Sequence, residues 1–210
     1  LSENKLECTE ELGDLIAQVD SKISFEVYHR GGVKHKVVAQ LAELGEHQKI
    51  VAYCEKTGYQ ADWNKLLLNT LNSNPQGSVA FATSLINSSN GPLVDPKTVM
   101  DLFSQRNMVK ETTSIFYDYL KANRPEDGPL QTRILEINLL QFPKVAEHLL
   151  SNEVFTQYDH QHIGAVCEKV GLYQRALEQY PNIDDIQRVI VNTTVISPEF
   201  LVNYFSTLSV

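Results

Sequence analysis

The sequence predicts an all-α chain, an α-solenoid of short antiparallel helices stacked in a zigzag. Three observations predict it: apolar residues recur in short stripes with helical period, capping and breaking residues recur every ~10 to 15 residues, and turn glycines fall at even intervals. The stripes run in order along the chain. Trp63, Leu66, Leu67 and Leu71 form the first, then Val99, Leu102 and Phe103. Ile163, Val166, Cys167 and Val170 follow, then Tyr173, Ala176, Leu177 and Tyr180, then Leu201, Tyr204, Phe205 and Leu208. Spacings of three and four place each set on one helix face. Sustained apolar/polar alternation, the mark of a half-buried strand, is missing.

The punctuation sets helix length. Asn74-Pro75, Asp95-Pro96 and Ser197-Pro198 each pair a capping side chain with a proline at the first helical position, where no amide is lost. Asp159 is placed to cap the helix that carries Ile163. Gly32, Gly45, Gly58 and Gly171 each follow an apolar stretch and suit the left-handed position that ends a helix. Pro125, Pro129, Pro143 and Pro181 are expected to break other helices. Gly32, Gly45 and Gly58 lie 13 residues apart, one ~10-residue helix plus a tight turn. Cys54-Glu55-Lys56-Thr57-Gly58-Tyr59 recurs as Cys167-Glu168-Lys169-Val170-Gly171-Leu172. Helices this short are marginal alone and bury their stripes on neighbours, which a linear stack supplies on both sides. The polar stretches Asn87 to Pro92 and Asn123 to Pro129 read as loops between hairpins.

Composition narrows the function. Of 210 residues, 42% are hydrophobic and 21% charged, as expected of a folded chain. The net charge of −8 opposes nucleic-acid binding, which needs clustered Lys and Arg. The densest basic run, Lys34-His35-Lys36, reads as a solvated helix face. Three scattered cysteines, Cys8, Cys54 and Cys167, make no disulfide framework and fit a reducing compartment. No apolar run approaches the roughly 18 to 20 residues that span a bilayer. The start, Leu1-Ser2-Glu3-Asn4-Lys5, and the end at Val210 read as cuts in a longer protein. The sequons at Asn87 and Asn192 would be silent in the cytosol.

Sites of chemistry are not expected. The phosphate-binding loop, the nucleophile elbow and the His-Glu-x-x-His motif are missing. His160, His162 and Cys167 are the nearest approach to a metal set. Two helical residues two apart point about 200° from each other, however, and Cys167 lies on an apolar face. The carboxylate pairs Glu10-Glu11, Glu126-Asp127 and Asp184-Asp185 read as solvated surface. The nine tyrosines fall mostly beside apolar stripes and are expected to fill gaps between helices. No catalytic, cofactor-binding or metal-binding residue is assigned, and the chain is expected not to be an enzyme.

Specific runs carry a resemblance. Asn123-Arg124-Pro125, Gly128-Pro129-Leu130-Gln131-Thr132-Arg133 and Leu135-Glu136 form one. Cys167-Glu168-Lys169, Gly171-Leu172 and Gln174-Arg175-Ala176-Leu177-Glu178 form a second. Pro198-Glu199, Leu201-Val202-Asn203-Tyr204-Phe205 and Leu208-Ser209-Val210 form a third. With Leu12-Gly13-Asp14-Leu15, Gln48-Lys49-Ile50-Val51, Gly58-Tyr59 and Asp62-Trp63 upstream, the chain resembles the clathrin heavy-chain family throughout, most specifically in its second half. Phe200 stands where the family pattern has tryptophan, and Asn87 to Gly91 is more polar.

The resemblance implies one α-solenoid segment, residues 1–210, from the ankle and start of the distal leg. Its role would be structural, in coated pits and coated vesicles of endocytosis and intracellular protein transport. Implied partners are other heavy chains in the lattice, with adaptor or uncoating proteins near the ankle and the light chain binding elsewhere. No cofactor, nucleic acid or membrane insertion is implied; the place is the cytoplasmic face of coats. The competing reading is a peptide-binding, tetratricopeptide-like adaptor or tethering module, which the lack of an even 34-residue period opposes.

Overall fold

The computed structural model describes residues 7–88 and 91–208, with side chains through residue 206. Leu1-Ser2-Glu3-Asn4-Lys5, Ser89, Asn90, the Leu208 side chain and Ser209-Val210 lie outside the described residues. Among the described residues there are fourteen α-helices and no strand. They are α1 Glu10–Ala17, α2 Ser21–Gly31, α3 Lys34–Glu43, α4 His47–Thr57, α5 Trp63–Ser73, α6 Pro75–Ile86 and α7 Pro96–Ser104. Then come α8 Val109–Leu120, α9 Gly128–Gln141, α10 Pro143–Ser151, α11 His160–Lys169, α12 Tyr173–Gln179, α13 Ile183–Asn192 and α14 Pro198–Leu208. A single 3-10 turn, Pro125–Asp127, leads into α9.

Helices of 7 to 14 residues are too short to persist by propensity, so packing must hold them. Every closely packed pair of helices is one or two places apart in chain order. That adjacency makes the fold an all-α solenoid: apolar stripes are shared between successive neighbours.

The chain divides into two compact units, residues 1–102 and 103–210, the division falling inside α7. In the first, α1 packs on α2, α2 on α3, α3 on α4, α4 on α6 and α5 on α6. Tyr28, Val37, Val38, Leu41, Ile50 and Cys54 form one buried cluster there, edged by Trp63 and Leu66. In the second, α9 packs on α8, α10 and α11, and α12 bridges α11 to α13. Ile134, Leu135, Ile163, Cys167 and Leu177 are fully buried. Each fully buried aliphatic side chain contributes about 1.5–3 kcal/mol of transfer free energy.

The expected caps form. Asn74 Oδ1 accepts from the Gly77 amide at 2.9 Å, Asp95 from Lys97 and Thr98, Asp159 from His162, and Ser197 from Phe200. Thr9, Asp20 and Asp62 cap α1, α2 and α5 in the same way. Gly32, Gly45, Gly58 and Gly171 all take left-handed backbone, with φ between 64° and 81°.

Several expectations are corrected. Pro129 does not break a helix; it sits in the first turn of α9. Tyr180 lies one residue past α12 in extended backbone, its ring still buried. Phe205 is 46% exposed rather than on a covered face. Lys34-His35-Lys36 lies on a solvated face, as expected, and its polar groups are also paired: Lys34 Nζ donates to the Thr57 carbonyl at the end of α4, His35 meets Glu10, and Lys36 meets Asp14. Asp127 is only 3% exposed, so of the Glu126-Asp127 pair Glu126 alone is solvated surface. Of the nine tyrosines, Tyr117 alone is exposed.

Gly171 has a φ of 81° and open space where a Cβ would go. Its requirement is therefore backbone conformation alone. Gly171→Val should cost about 1–2 kcal/mol in urea unfolding, and Gly171→Asn well under that, because asparagine visits the left-handed region. Equal losses for the two would show a packing cause instead.

His47 begins α4 buried, its Nε2 3.1 Å from Thr70 Oγ1 and its ring stacked on Phe81 at 4.7 Å. The Thr70 hydroxyl donates to the Leu66 carbonyl, so His47 Nε2 is the donor to Thr70. Burial pushes the imidazole pKa down, with a bond to the Gly45 backbone opposing. The unfolded chain then takes up a proton near the ordinary value of about 6.5, and the folded chain does so only at lower pH. Stability should be level above about pH 6.5 and fall below it until the lowered native value is passed. His47→Gln should flatten that decline in melts taken across the range; an unchanged slope would place its cause elsewhere.

Candidate functional site: a polar joint around α9

One of the three runs that carry the family resemblance, Asn123 to Glu136, folds into a single joint. α8 ends at Leu120, and the chain turns back through Asn123, whose φ of 51° is left-handed. Asparagine tolerates this backbone, and here its side chain also ties three segments. Asn123 Nδ2 donates to the Val154 carbonyl at 3.1 Å. Asn123 Oδ1 accepts from Gln131 Nε2 at 2.8 Å and from the Thr156 amide at 2.9 Å.

Gln131 lies one turn into α9 with no exposed surface. Its Nε2 also donates to the Leu120 carbonyl at 2.9 Å, and its Oε1 accepts from the Gln157 amide at 2.8 Å. One buried amide thus satisfies the end of α8 and the α10–α11 connection together. Thr132 Oγ1 accepts from the Asp159 amide at 2.9 Å and donates to the Gly128 carbonyl. Gly128 lets this connection close in: a Cβ there would fall 2.5 Å from the Gln157 carbonyl oxygen. One turn beyond Ile134 and Leu135, buried Asn138 donates to Thr113 Oγ1 of α8 at 2.7 Å.

The entry to α9 is electrostatic. Arg124 Nε donates to Asp127 Oδ2 at 2.6 Å, and the guanidinium lies 4.3 Å from the centroid of the Tyr119 ring. Asp127 is thereby buried with its counter-charge, which avoids the several kcal/mol that an unpaired buried carboxylate costs. Burial raises the Tyr119 pKa, the Asp127 charge adding to it.

The residues weighed for metal chemistry disperse. His160 Nδ1 is 3.0 Å from Gln179 Oε1, which also accepts from the Tyr158 hydroxyl. His162 Nε2 lies 3.7 Å from Glu136 Oε1. Cys167 is fully buried, and burial pushes its thiol up to about 12; that of Cys54 rises to about 11. Neither offers a thiolate at neutral pH. Glu10 pairs with His35 and Lys36, and Asp185 with Arg188. What the arrangement can do is mechanical: it holds the turns on either side of α9 at fixed distance.

A family model described as a region in clathrin and VPS proteins matches residues 87–208, more than half of the chain, with the joint inside it. The chain belongs to the clathrin family. Across its whole length it is 44% identical to the clathrin heavy chain of Dictyostelium discoideum and 45% identical to that of Drosophila melanogaster. It is also 44% identical to clathrin heavy chain 2 of Homo sapiens. The matched stretch is 12% of the first two proteins and 13% of the third, so the chain spans about an eighth of the length of these relatives.

In this clathrin-family chain the motif from Asn123 to Arg133 is therefore a connector, and its glycine and amides are explained by close approach and buried bonding. Reading the residues did not single out Gln131 and Asn138 for burial. The signal was present: both stand on the stripe of Ile134 and Leu135, at i, i+3, i+4 and i+7. Gln131→Leu should strand the Gln157 amide, take one of two bonds from the Leu120 carbonyl and one from Asn123 Oδ1, and cost about 1–3 kcal/mol in chemical denaturation. Gln174→Leu, on an exposed part of α12, should stay within about 0.5 kcal/mol of the parent. A Gln131→Leu loss as small as the control's would remove the joint as a stabilising element.

Proposed function

We propose that this chain is a structural leg segment of a clathrin-like vesicle coat, a single α-solenoid over residues 1–210 from the ankle and start of the distal leg. It acts without catalysis in coated-pit and coated-vesicle assembly, on the cytoplasmic side of the membrane. Full-length identity of 44–46% to clathrin heavy chains carries this reading. The stack of short helices supports it, as does the absence, among the described residues, of a helix long and apolar enough to cross a membrane. Its partners are other heavy chains in the lattice, with adaptor and uncoating proteins reaching the ankle and the light chain bound elsewhere.

The mechanism follows from one-dimensional packing. Each repeat contacts only its neighbours, so small changes in inter-helix angle add along the stack. A leg can then follow different lattice curvatures without unfolding any repeat. Many weak contacts between legs hold the coat by multivalency while each stays easy to break. In a tetratricopeptide-like adaptor, polar groups would converge on a groove; here the polar side chains around α9 are bonded to one another and to turns.

Two measurements test the reading. Small-angle scattering of the chain should give a radius of gyration above the ~17 Å of a compact 210-residue domain. In the full-length protein, deleting the segment should leave trimers that no longer close into cages. A compact scattering curve, or normal cages from the deleted protein, would overturn it.

A further inference from the structure

Two tyrosines, one in each unit, are held in the same way. In the first unit the Tyr28 ring of α2 lies on Gly13 of α1, so close that a Cβ there would fall 2.2 Å from ring carbon Cε1. The Tyr28 hydroxyl donates to Asp14 Oδ1 of α1 at 2.6 Å, and Lys36 Nζ of α3 donates to that same oxygen at 2.7 Å. Lys36 Nζ also sits 5.8 Å from the Tyr28 ring centroid.

In the second unit Tyr180, just past α12, lies on Gly164 of α11, where a Cβ would fall 2.8 Å from Cε1. Its hydroxyl donates to Glu168 Oε2 of α11 at 2.7 Å. Arg188 Nη2 of α13 donates to that same oxygen at 2.7 Å, with the guanidinium 5.5 Å from the ring centroid. In both, the cation follows the tyrosine by eight residues. In both, a second carboxylate reaches it: Glu10 Oε1 lies 3.8 Å from Lys36 Nζ, and Asp185 Oδ1 lies 2.7 Å from Arg188 Nη1.

Glycine is required because a ring flat on a helix leaves no room for a Cβ. The ring then delivers its hydroxyl to a carboxylate on that helix, and the cation of the next helix closes on the same oxygen. Three successive segments of the chain meet at one atom. α1 with α3, and α11 with α13, are not among the closely packed pairs, so side chains bridge the outer helices of each trio. His35 with Glu10 and Gln161 with Asp185 are the accompanying bridges. The two cations keep 32% and 46% of their side-chain surface. Water therefore reaches the ion pair, and it can part without exposing the core. The Lys36 bond, with the Tyr28 bond adding to it, holds the Asp14 carboxyl below the usual range. Burial, helped by Glu168, pushes the Tyr180 hydroxyl up to about 12.

We propose that these two clasps are electrostatic hinge locks: the cation fixes the third helix of each trio to the first, and loss of its charge frees the third helix to swing. Acylation of Lys36 by an acyl thioester, in which the amine displaces the thiol and loses its proton, would replace the charged ammonium with a neutral amide and open the first lock. That such locks set how a coat leg bends rests on the proposed function; the locks themselves do not, and the test reads them alone.

Spin labels at Glu11→Cys of α1 and Glu43→Cys of α3, both exposed positions, report the first lock in the 210-residue chain carrying Cys8→Ser. Cys54 and Cys167 are buried and stay unlabelled. The parent should give one narrow distance distribution. Lys36→Met should broaden it, Asp14→Lys should do the same, and the charge-swapped Asp14→Lys/Lys36→Asp chain should narrow it again. Lys49→Met, exposed on α4, should leave it unchanged. In the second unit, Arg188→Met should speed amide exchange in α13 by about two- to fivefold and leave α1 to α3 as they were. An unaltered width in Lys36→Met, a swap as broad as the single variants, or unaltered exchange of α13 in Arg188→Met would overturn the proposal.

Discussion

A helix of about ten residues has too few internal hydrogen bonds to offset its own nucleation, so each helix here exists only while its apolar stripe is covered. That dependence explains most of the structure. No helix carries a private core; Ile50 and Cys54 of α4 share a cluster with Val37, Val38 and Leu41 of α3 and with Tyr28 of α2. Because coverage comes from the next element in file, the chain extends by addition of helices, and its class is a solenoid.

Apolar coverage alone leaves the spacing of successive hairpins loosely specified, since such contacts have no direction. The polar joint around α9 supplies direction. Gln131, Asn123 and Thr132 bond the backbone of the turns on either side of α9. Each has a distance and an angle to keep. Both atoms of the Gln131 and Asn123 amides find partners, and such a network selects one arrangement over near alternatives.

Much of this was legible in the sequence. Stripes, prolines and capping side chains are local signals, and Asn74, Asp95, Asp159 and Ser197 cap as their positions imply. The four turn glycines were legible for the same reason, a conformation that other residues resist. The turns at Asn107, Asn123 and Glu153 were not, because these residues adopt left-handed backbone under tertiary constraint. Burial of Asp127 was hidden as well: a carboxylate in a polar loop reads as solvated until Arg124 and Tyr119 are seen to enclose it. The tyrosine clasps need three segments of the chain brought together, and no spacing within one helix announces them.

Every closely packed pair of helices is one or two places apart along the chain. Each docking step therefore closes a loop of only a few tens of residues, at small entropic cost. During synthesis a helix meets its partner soon after both have left the ribosome, and its apolar face is covered before the rest of a very long polypeptide exists. A protein many times the length of this chain can then be made without holding large sticky surfaces open while distant segments are awaited.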